Sequence, residues 1–380
     1  MAALVLNEEQ QMLRDAAQGF LGEKAPISQL RRLRDSGDET GFSRDLWKGM
    51  AEMGFVGTLI AEDFGGSAFG NVGMGQVFEH AGRNLSASPL LATAVLGVSV
   101  LQLAGSKVQK QTLLPAIAEG RLLTALAVDE KLRHAPASVA TTARRHEDHW
   151  VIDGQKSFVI DGHVADKLIV SVRTSGEQSD REGISLMLVD RDTAGVSVER
   201  TIMVDSRNAA IVRFDNVQVS ADALLGELDQ GLMVLDKVLD IANAQLSAEL
   251  LGISLQAFEV TVKYLQERKQ FGVTLGSFQA LQHRCAHLFS ELELAKSVVL
   301  KALVALDEQD PEAPVLVSLA KAKSCEVAEL ATNEAVQLHG GMGMTDEFDV
   351  GLFMKRARPV QALFGDYRYH ADRFASLRGY

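Results

Sequence analysis

From Leu6 to about Leu123 the apolar positions recur every three or four residues, as in Met12, Ala16 and Phe20 and again in Leu46, Met50 and Met53. That is the period of a helix with one buried face, so this stretch reads as all-α. Turn-rich breaks at Asp35 to Asp38 and at Asp63-Phe64-Gly65-Gly66 separate the helices. Around Leu123 the pattern changes to short runs rich in β-branched residues, at 150–152, 157–160, 168–172, 184–189 and 210–214. Gly154, Gly162, Gly183, Gly195 and Asn216 punctuate them at hairpin spacing with no helical pattern between, which predicts an antiparallel β-domain. After Gly226 the helical period returns. No proline stands between Pro136 and Pro311, and Leu235, Leu239, Leu246, Leu250, Phe258, Val262 and Leu265 mark long antiparallel helices. Pro311 and Pro314 mark the next connection, and a further helix from Val315 to Leu338 stops at Gly340-Gly341. The expected fold class is α+β: an N-terminal all-α domain (1–122), a middle antiparallel β domain (123–226) and a C-terminal four-helix-bundle-like α domain (227–380).

Composition narrows the function classes. The 380 residues carry 38 Lys+Arg against 50 Asp+Glu, a formal charge of −12, and no basic run exceeds pairs such as Arg31-Arg32 and Arg144-Arg145. Nucleic acid is therefore not an expected partner. With 47% hydrophobic and 23% charged residues the chain buries large cores, which excludes a disordered protein. Cys285 and Cys325 lack CxxC spacing, so no metal site is expected, and they read as reduced, buried thiols of a cytoplasmic protein. The first residues turn charged at Glu8 and Glu9, unlike a secretory leader. The uncharged stretch from Arg83 to Lys107 is diluted by polar residues, and its dense part, Leu90 to Leu103, has the length of a core helix; no membrane span is expected.

Three segments place polar groups at helix ends. Glu267-Arg268-Lys269-Gln270-Phe271-Gly272, followed by Gln279, closes a long helix. A guanidinium there suits a phosphate or diphosphate, with Phe271 packing on a flat ring, and it equally suits a cationic C-terminal turn. Gln337-Leu338-His339-Gly340-Gly341-Met342-Gly343 offers backbone amides at a paired-glycine turn, or simply a helix stop. His339 is assigned no role. In Gln361-Ala362-Leu363-Phe364-Gly365-Asp366-Tyr367, Asp366 suits either a general base or the cap of a helix starting near Arg368.

In this order and spacing the segments resemble the acyl-CoA dehydrogenases over essentially the whole chain, including Ala61-Glu62-Asp63-Phe64-Gly65-Gly66 and Ile152-Asp153-Gly154-Gln155-Lys156. The resemblance implies FAD at a subunit interface, an acyl-CoA substrate, α-proton removal by a carboxylate and hydride transfer to the flavin. It implies that Arg268, Gln270, Phe271 and Gln279, completed by Gln337, Gly340 and Gly341, hold the adenosine diphosphate end of an FAD of the neighbouring subunit. The family's flavin-cradling segment corresponds to Asp129-Glu130-Lys131-Leu132-Arg133-His134, one residue short, and its flavin-contacting aromatic-Ile-Thr corresponds to Phe158-Val159-Ile160.

The two positions at which family members carry the base fall on Phe364 and Ala242, neither of which takes a proton; Asp366 and Asp240 lie two residues away. Such a chain is similar to the small subunits of heteromeric enzymes of the pimeloyl-CoA and steroid side-chain types. The implied partners are a homologous dehydrogenase subunit and electron-transferring flavoprotein. A homomeric enzyme using Asp366, and a flavin-free acyl-CoA-binding scaffold, are the alternatives. Small residues at Ala242, Ala244 and Ser247 leave room for a bulky acyl group or allow close helix packing.

Overall fold

The computed structural model describes residues 5–380. The chain forms two compact units: the described residues up to Arg32 with Gly70–Ser86 and Asn243–Tyr380 make one, and Leu33–Phe69 with Ala87–Ala242 make the other.

The first unit is helical. In α1 (Glu8–Lys24) the Asn7 side chain accepts the Gln10 amide and the Gln10 side chain reaches back, a reciprocal N-terminal cap. The buried stripe of α1 is Leu13, Ala17 and Leu21, one residue along from the expected Met12, Ala16 and Phe20, and Met12 is exposed. Adjacent rows on a helix share one period, so spacing alone does not choose between them. From Leu33, within α2 (Ile27–Ser36), through α3 (Arg44–Glu52) to Phe69 the chain belongs to the other unit, and it returns in α4 (Gly70–Arg83). Asp307 caps α4 from a distance, accepting the Asn71 and Val72 amides at 2.6 and 3.0 Å.

Where α4 meets the long helix α7 (Gly231–Glu267), two glycines let the backbones touch. A Cβ on Gly82 would stand 2.3 Å from the Glu249 carbonyl oxygen, and one on Gly252 would stand 1.9 Å from that of Glu79. Neither neighbour is a side chain that can swing aside. Gly252→Ala is therefore expected to destabilise the protein by about 3 kcal/mol, the upper end for overpacking, and to lower the thermal midpoint measured by circular dichroism. An unchanged midpoint would mean that the two helices do not approach this closely.

The second unit carries the sheet, in the order β6-β7-β3-β2-β4-β5-β8, with β1 on β4. Its strands are β1 (Thr124–Ala127), β2 (Thr142–His146), β3 (His149–Ile160), β4 (Lys167–Arg173), β5 (Ile184–Asp190), β6 (Val196–Ile202), β7 (Asn208–Ser220) and the two-residue β8 (Leu224–Leu225). Trp150, Ile152, Val159, Leu168, Val170, Met187, Val212 and Phe214 form its core. The sheet is antiparallel as expected, except that β1 joins β4 in parallel and β2 touches β4 in parallel at Thr142 and Arg173. Two expected runs, 150–152 and 157–160, are one strand whose register slips between Ile152 and Gly154 and between Lys156 and Val159. At the second slip Phe158 adopts φ 58°, and the bulge breaks the alternation that marks a single strand.

The uncharged stretch after Arg83 forms a π-helix over Leu90–Gly97, wholly buried, continued by α5 (Val98–Ala104), with α6 (Lys107–Ala118) after it. The helix that passes a membrane test by length and composition is instead α7, and 94% of its apolar window is buried in the protein, so it is a core helix. Both cysteines are free; Cys325 is buried as expected, whereas Cys285 is only half-buried because it lies on the outer side of its helix.

Candidate functional site

At one end of the helical unit, α7 closes at Glu267 and a minimal hairpin follows, β9 (Lys269–Gln270) paired with β10 (Val273–Thr274). Its two-residue turn, Phe271-Gly272, has φ 56° and 81°, both positive as a type I′ turn requires. This geometry holds the Phe271 ring 88% exposed, edge-on to Phe278 with centroids 6.2 Å apart. The Arg268 carbonyl accepts the Leu275 amide at 2.8 Å, while its guanidinium is solvent-facing with no ion-pair partner among the described residues. Helix α8 (Gln279–Asp307) starts at Gln279, also exposed.

Helix α9 (Ala313–His339) ends beside this hairpin. His339 stacks on Tyr264 of the last turns of α7, with centroids 4.2 Å apart and planes 23° apart, and Phe348 meets both rings edge-on at 5.8 and 6.0 Å. Arg284 of α8 grips Glu334 of α9 through two bonds of 2.7 and 2.9 Å. Three helix ends are thus fastened together, and Arg268, Gln270, Phe271, Gln279, Gln337, Gly340 and Gly341 all face solvent around them. Gly340 and Gly341 have open space where a Cβ would be, so their backbone is approachable. A forked cation, amide side chains, a flat exposed ring and bare backbone form a donor set that suits a nucleoside diphosphate. His339 is structural: its Nδ1 lies 2.7 Å from the Ala335 carbonyl, and burial pushes its pKa down against that hydrogen bond.

Neither of the two expected base positions offers a carboxylate. Ala242 is wholly buried in α7, and Phe364 is 7% exposed in the turn between α10 (Val350–Ala362) and α11 (Tyr367–Arg378). Asp366 caps α11, its Oδ1 accepting the Tyr369 amide at 2.9 Å, so the helix starts one residue earlier than expected. Asp240 is buried in α7.

The segment that corresponds to the family's flavin cradle is folded onto itself. Lys156, wholly buried, donates to Glu130 Oε1 (2.8 Å), the Val128 carbonyl (3.1 Å) and Ser171 Oγ (2.9 Å). Glu130 also accepts the Ala140 and Thr141 amides at 2.7 and 2.9 Å. Burial pushes the Lys156 pKa down to about 8 against the pull of Glu130. Burial alone would raise the Glu130 carboxyl, but the charge of Lys156 and three hydrogen bonds outweigh it and hold it below the usual range. His134 Nδ1 lies 2.9 Å from Asp129, Leu132 is exposed, and Ile160 is buried and presents no hydroxyl. These residues do not fit the polar cradle of an isoalloxazine.

Sequence reading missed Lys321, Asn243 and His370, which lie under the Phe364 turn, and Tyr264 and Phe348, which fasten the helix ends. Lys321 alone left a trace: it shares a buried face with Val317, Ser324 and Ala328 at helical spacing.

Family models of the acyl-CoA dehydrogenase N-terminal, middle and C-terminal domains match residues 7–121, 128–217 and 229–376. The chain is 31% identical over 364 residues to a probable acyl-CoA dehydrogenase, YngJ, of Bacillus subtilis, covering 94% of each. It superposes on butyryl-CoA dehydrogenase from Megasphaera elsdenii with a TM-score of 0.91 at 25% identity, over 98% of this chain and 99% of that one. It also superposes on a chain of a variant of the Tcur3481-Tcur3483 steroid ACAD with a TM-score of 0.87 at 27% identity, over 98% of each. With three domains matched in order and nearly the whole length shared, this chain belongs to the acyl-CoA dehydrogenase family, oxidoreductases that use FAD.

Proposed function

We propose that the chain is the partner subunit of a heteromeric, FAD-dependent acyl-CoA dehydrogenase that introduces an α,β double bond into an acyl-CoA thioester. The observation that carries this reading is the pairing of two opposites. The diphosphate half-site at Arg268, Phe271, Gln337, Gly340 and Gly341 is open to solvent, whereas the base positions are Phe364 and Ala242, both buried and apolar. When bound, FAD supplies the hydride acceptor. Arg268 and the glycine backbone of this chain hold the adenosine diphosphate end, and a homologous subunit brings the base and the polar cradle that Glu130 and Ile160 do not provide. Electron-transferring flavoprotein is the expected electron acceptor. The steroid ACAD likeness supports a two-chain assembly and a bulky acyl group, for which the small side chains of Ala242, Ala244 and Ser247 leave room.

The cap on α11 speaks against Asp366 as a replacement base, because its carboxylate is already committed to the Tyr369 amide. Asp366→Asn preserves a good cap, so the activity of the complex is expected to stay within about twofold of wild type. Asp366→Ala is expected to cost about 1 kcal/mol of stability while leaving turnover intact. A loss of turnover in Asp366→Asn at unchanged stability would restore the homomeric reading. The function is tested by the flavin released per chain, measured by absorbance, from the protein made alone and from the protein co-expressed with a homologous dehydrogenase subunit. The expected result is little flavin alone and about one per unlike pair together. A full complement in the chain alone would overturn the proposal.

A further inference from the structure

A cavity of about 320 Å³ opens between α1, α4, α7 and α8, within the helical unit. Its floor is apolar: Leu251 and Leu255 of α7 and Val299 and Leu303 of α8 are buried there. One polar group breaks that floor. Gln76 of α4 is only 7% exposed, and its side-chain amide makes no hydrogen bond among the described residues. The rim is charged, with Arg14, Arg83 and Lys296 against a single carboxylate, Glu79. Arg83 Nη1 holds Glu259 and its Nε lies 3.3 Å from Glu79, which leaves Nη2 without a partner among the described residues. Asp15, Glu259 and Glu293, which pair with the three cations, stand outside the cavity and are largely exposed, so those pairs hold the cations only weakly. Burial and then the charges of Arg83 and Arg14 push the pKa of His80, on the same helix, down to about 4, so their positive field reaches inward rather than being cancelled by the outer carboxylates.

Helix register gives the cavity two unlike ends. α4 and α8 run antiparallel, since the Asn71 amide meets Asp307 and a Cβ on Gly75 would meet Leu303. α4 and α7 run antiparallel as well, with Gly82 against Glu249 and Glu79 against Gly252. Continued along the cavity, these registers set Gln76 beside Leu303 and Leu255, and Arg83 beside Lys296 and Ala248. The two ends are about 10 Å apart at the rise of a helix. An unmet amide therefore stands at one end, leucines between, and cations at the other. A buried amide offers both a donor and an acceptor, and leaving them unused costs free energy that an apolar side chain of the same size would not.

We propose that this cavity is a binding site for a free aliphatic carboxylic acid with a second polar group at its far end, of the ω-hydroxy acid class. The carboxylate meets Arg83 Nη2 and Lys296, the hydrocarbon lies on the leucines, and the far hydroxyl exchanges hydrogen bonds with the Gln76 amide. Glu79 on the same rim disfavours a phosphate, whose second charge would face a carboxylate. The site shares no residue with the diphosphate half-site, so its occupancy does not depend on that reading.

Two probes, ω-hydroxyoctanoate and octanoate, are titrated calorimetrically into the purified full-length protein. The hydroxy acid is expected to bind about tenfold more tightly than octanoate. Gln76→Met is expected to bring the two affinities together and to raise the thermal midpoint of the ligand-free protein, because it removes the unmet amide. Lys296→Met is expected to weaken both acids about tenfold and leave their ratio unchanged. Should Gln76→Met fail to fold, Lys296→Met at the rim still decides. Binding of neither acid at millimolar concentration overturns the proposal, and so does binding that neither substitution alters, which would place the acids elsewhere in the protein. A lower thermal midpoint in Gln76→Met also overturns it, since the amide would then serve the fold.

Discussion

Arg268→Ala is expected to lower the affinity of the assembled complex for FAD by about a hundredfold, while leaving the melting temperature of the flavin-free protein unchanged. The two halves of that expectation come from the same observation. The guanidinium at the end of α7 is exposed and makes no ion pair among the described residues, so its removal deprives the fold of nothing. A diphosphate, in contrast, would lose a planar fork that meets two oxygens at once. Arg268→Lys keeps the charge without the fork and is expected to fall between. The measurement is flavin retained after gel filtration, followed by titration of FAD into the stripped complex. Normal flavin content in Arg268→Ala would remove the half-site from this chain, and with it the reason for an interface role.

Lys156→Met is expected to destabilise the protein by about 3 to 5 kcal/mol, because it leaves the Glu130 carboxylate buried without its cation. Adding Glu130→Gln to the same chain is expected to recover much of the loss, since no uncompensated charge then remains. The effect depends on pH in a definite direction. In wild type the Glu130 carboxyl is held below its ordinary value, so its contribution is present above about pH 4.5 and is lost as pH falls through the lower folded value. In Lys156→Met only the Ala140 and Thr141 amides still oppose burial, so the Glu130 pKa rises relative to wild type and the stability it contributes at neutral pH shrinks. The gap between variant and wild type is therefore wide at neutral pH and closes as pH drops below the carboxylate range. Lys156 itself, lowered to about 8 in the fold, makes wild-type stability rise from pH 8 toward its unfolded value, a rise the variant lacks. Urea unfolding at pH 4, 7 and 9 checks all three statements; a gap that does not change with pH would show that Lys156 acts through packing alone.

Much of this was legible because periodicity reports local structure. The change from three-and-four spacing to β-branched runs near Leu123, and back after Gly226, located the helical and sheet regions. The candidate half-site residues stood out for a related reason: Arg268 and Gly340-Gly341 stand at helix ends, where a sequence motif and a structural boundary coincide. Features built from distant pieces were not. Strand β6, Val-Ser-Val-Glu-Arg-Thr-Ile, lies at the sheet edge with one face exposed, so its polar residues hid it. Under the Phe364 turn, Lys321 donates to backbone oxygens 42 and 44 positions away. A backbone carbonyl has no identity in a sequence, so nothing in the letters marks it as a partner. The 129–134 segment was visible as a departure from the family's cradle, but the burial of Glu130 beneath Lys156 depends on a strand register that spacing does not fix.

The hairpin at Phe271-Gly272 places an aromatic residue where the backbone favours asparagine or glycine, at a cost of about 1 kcal/mol. In the proposed half-site, selection for heat resistance and selection for cofactor retention would therefore pull position 271 in opposite directions. A library screened only for survival of heating would favour Phe271→Asn or Phe271→Gly, and its winners would be sturdier proteins with an emptier grip on adenine. Consensus stabilisation of this chain should leave that one residue alone.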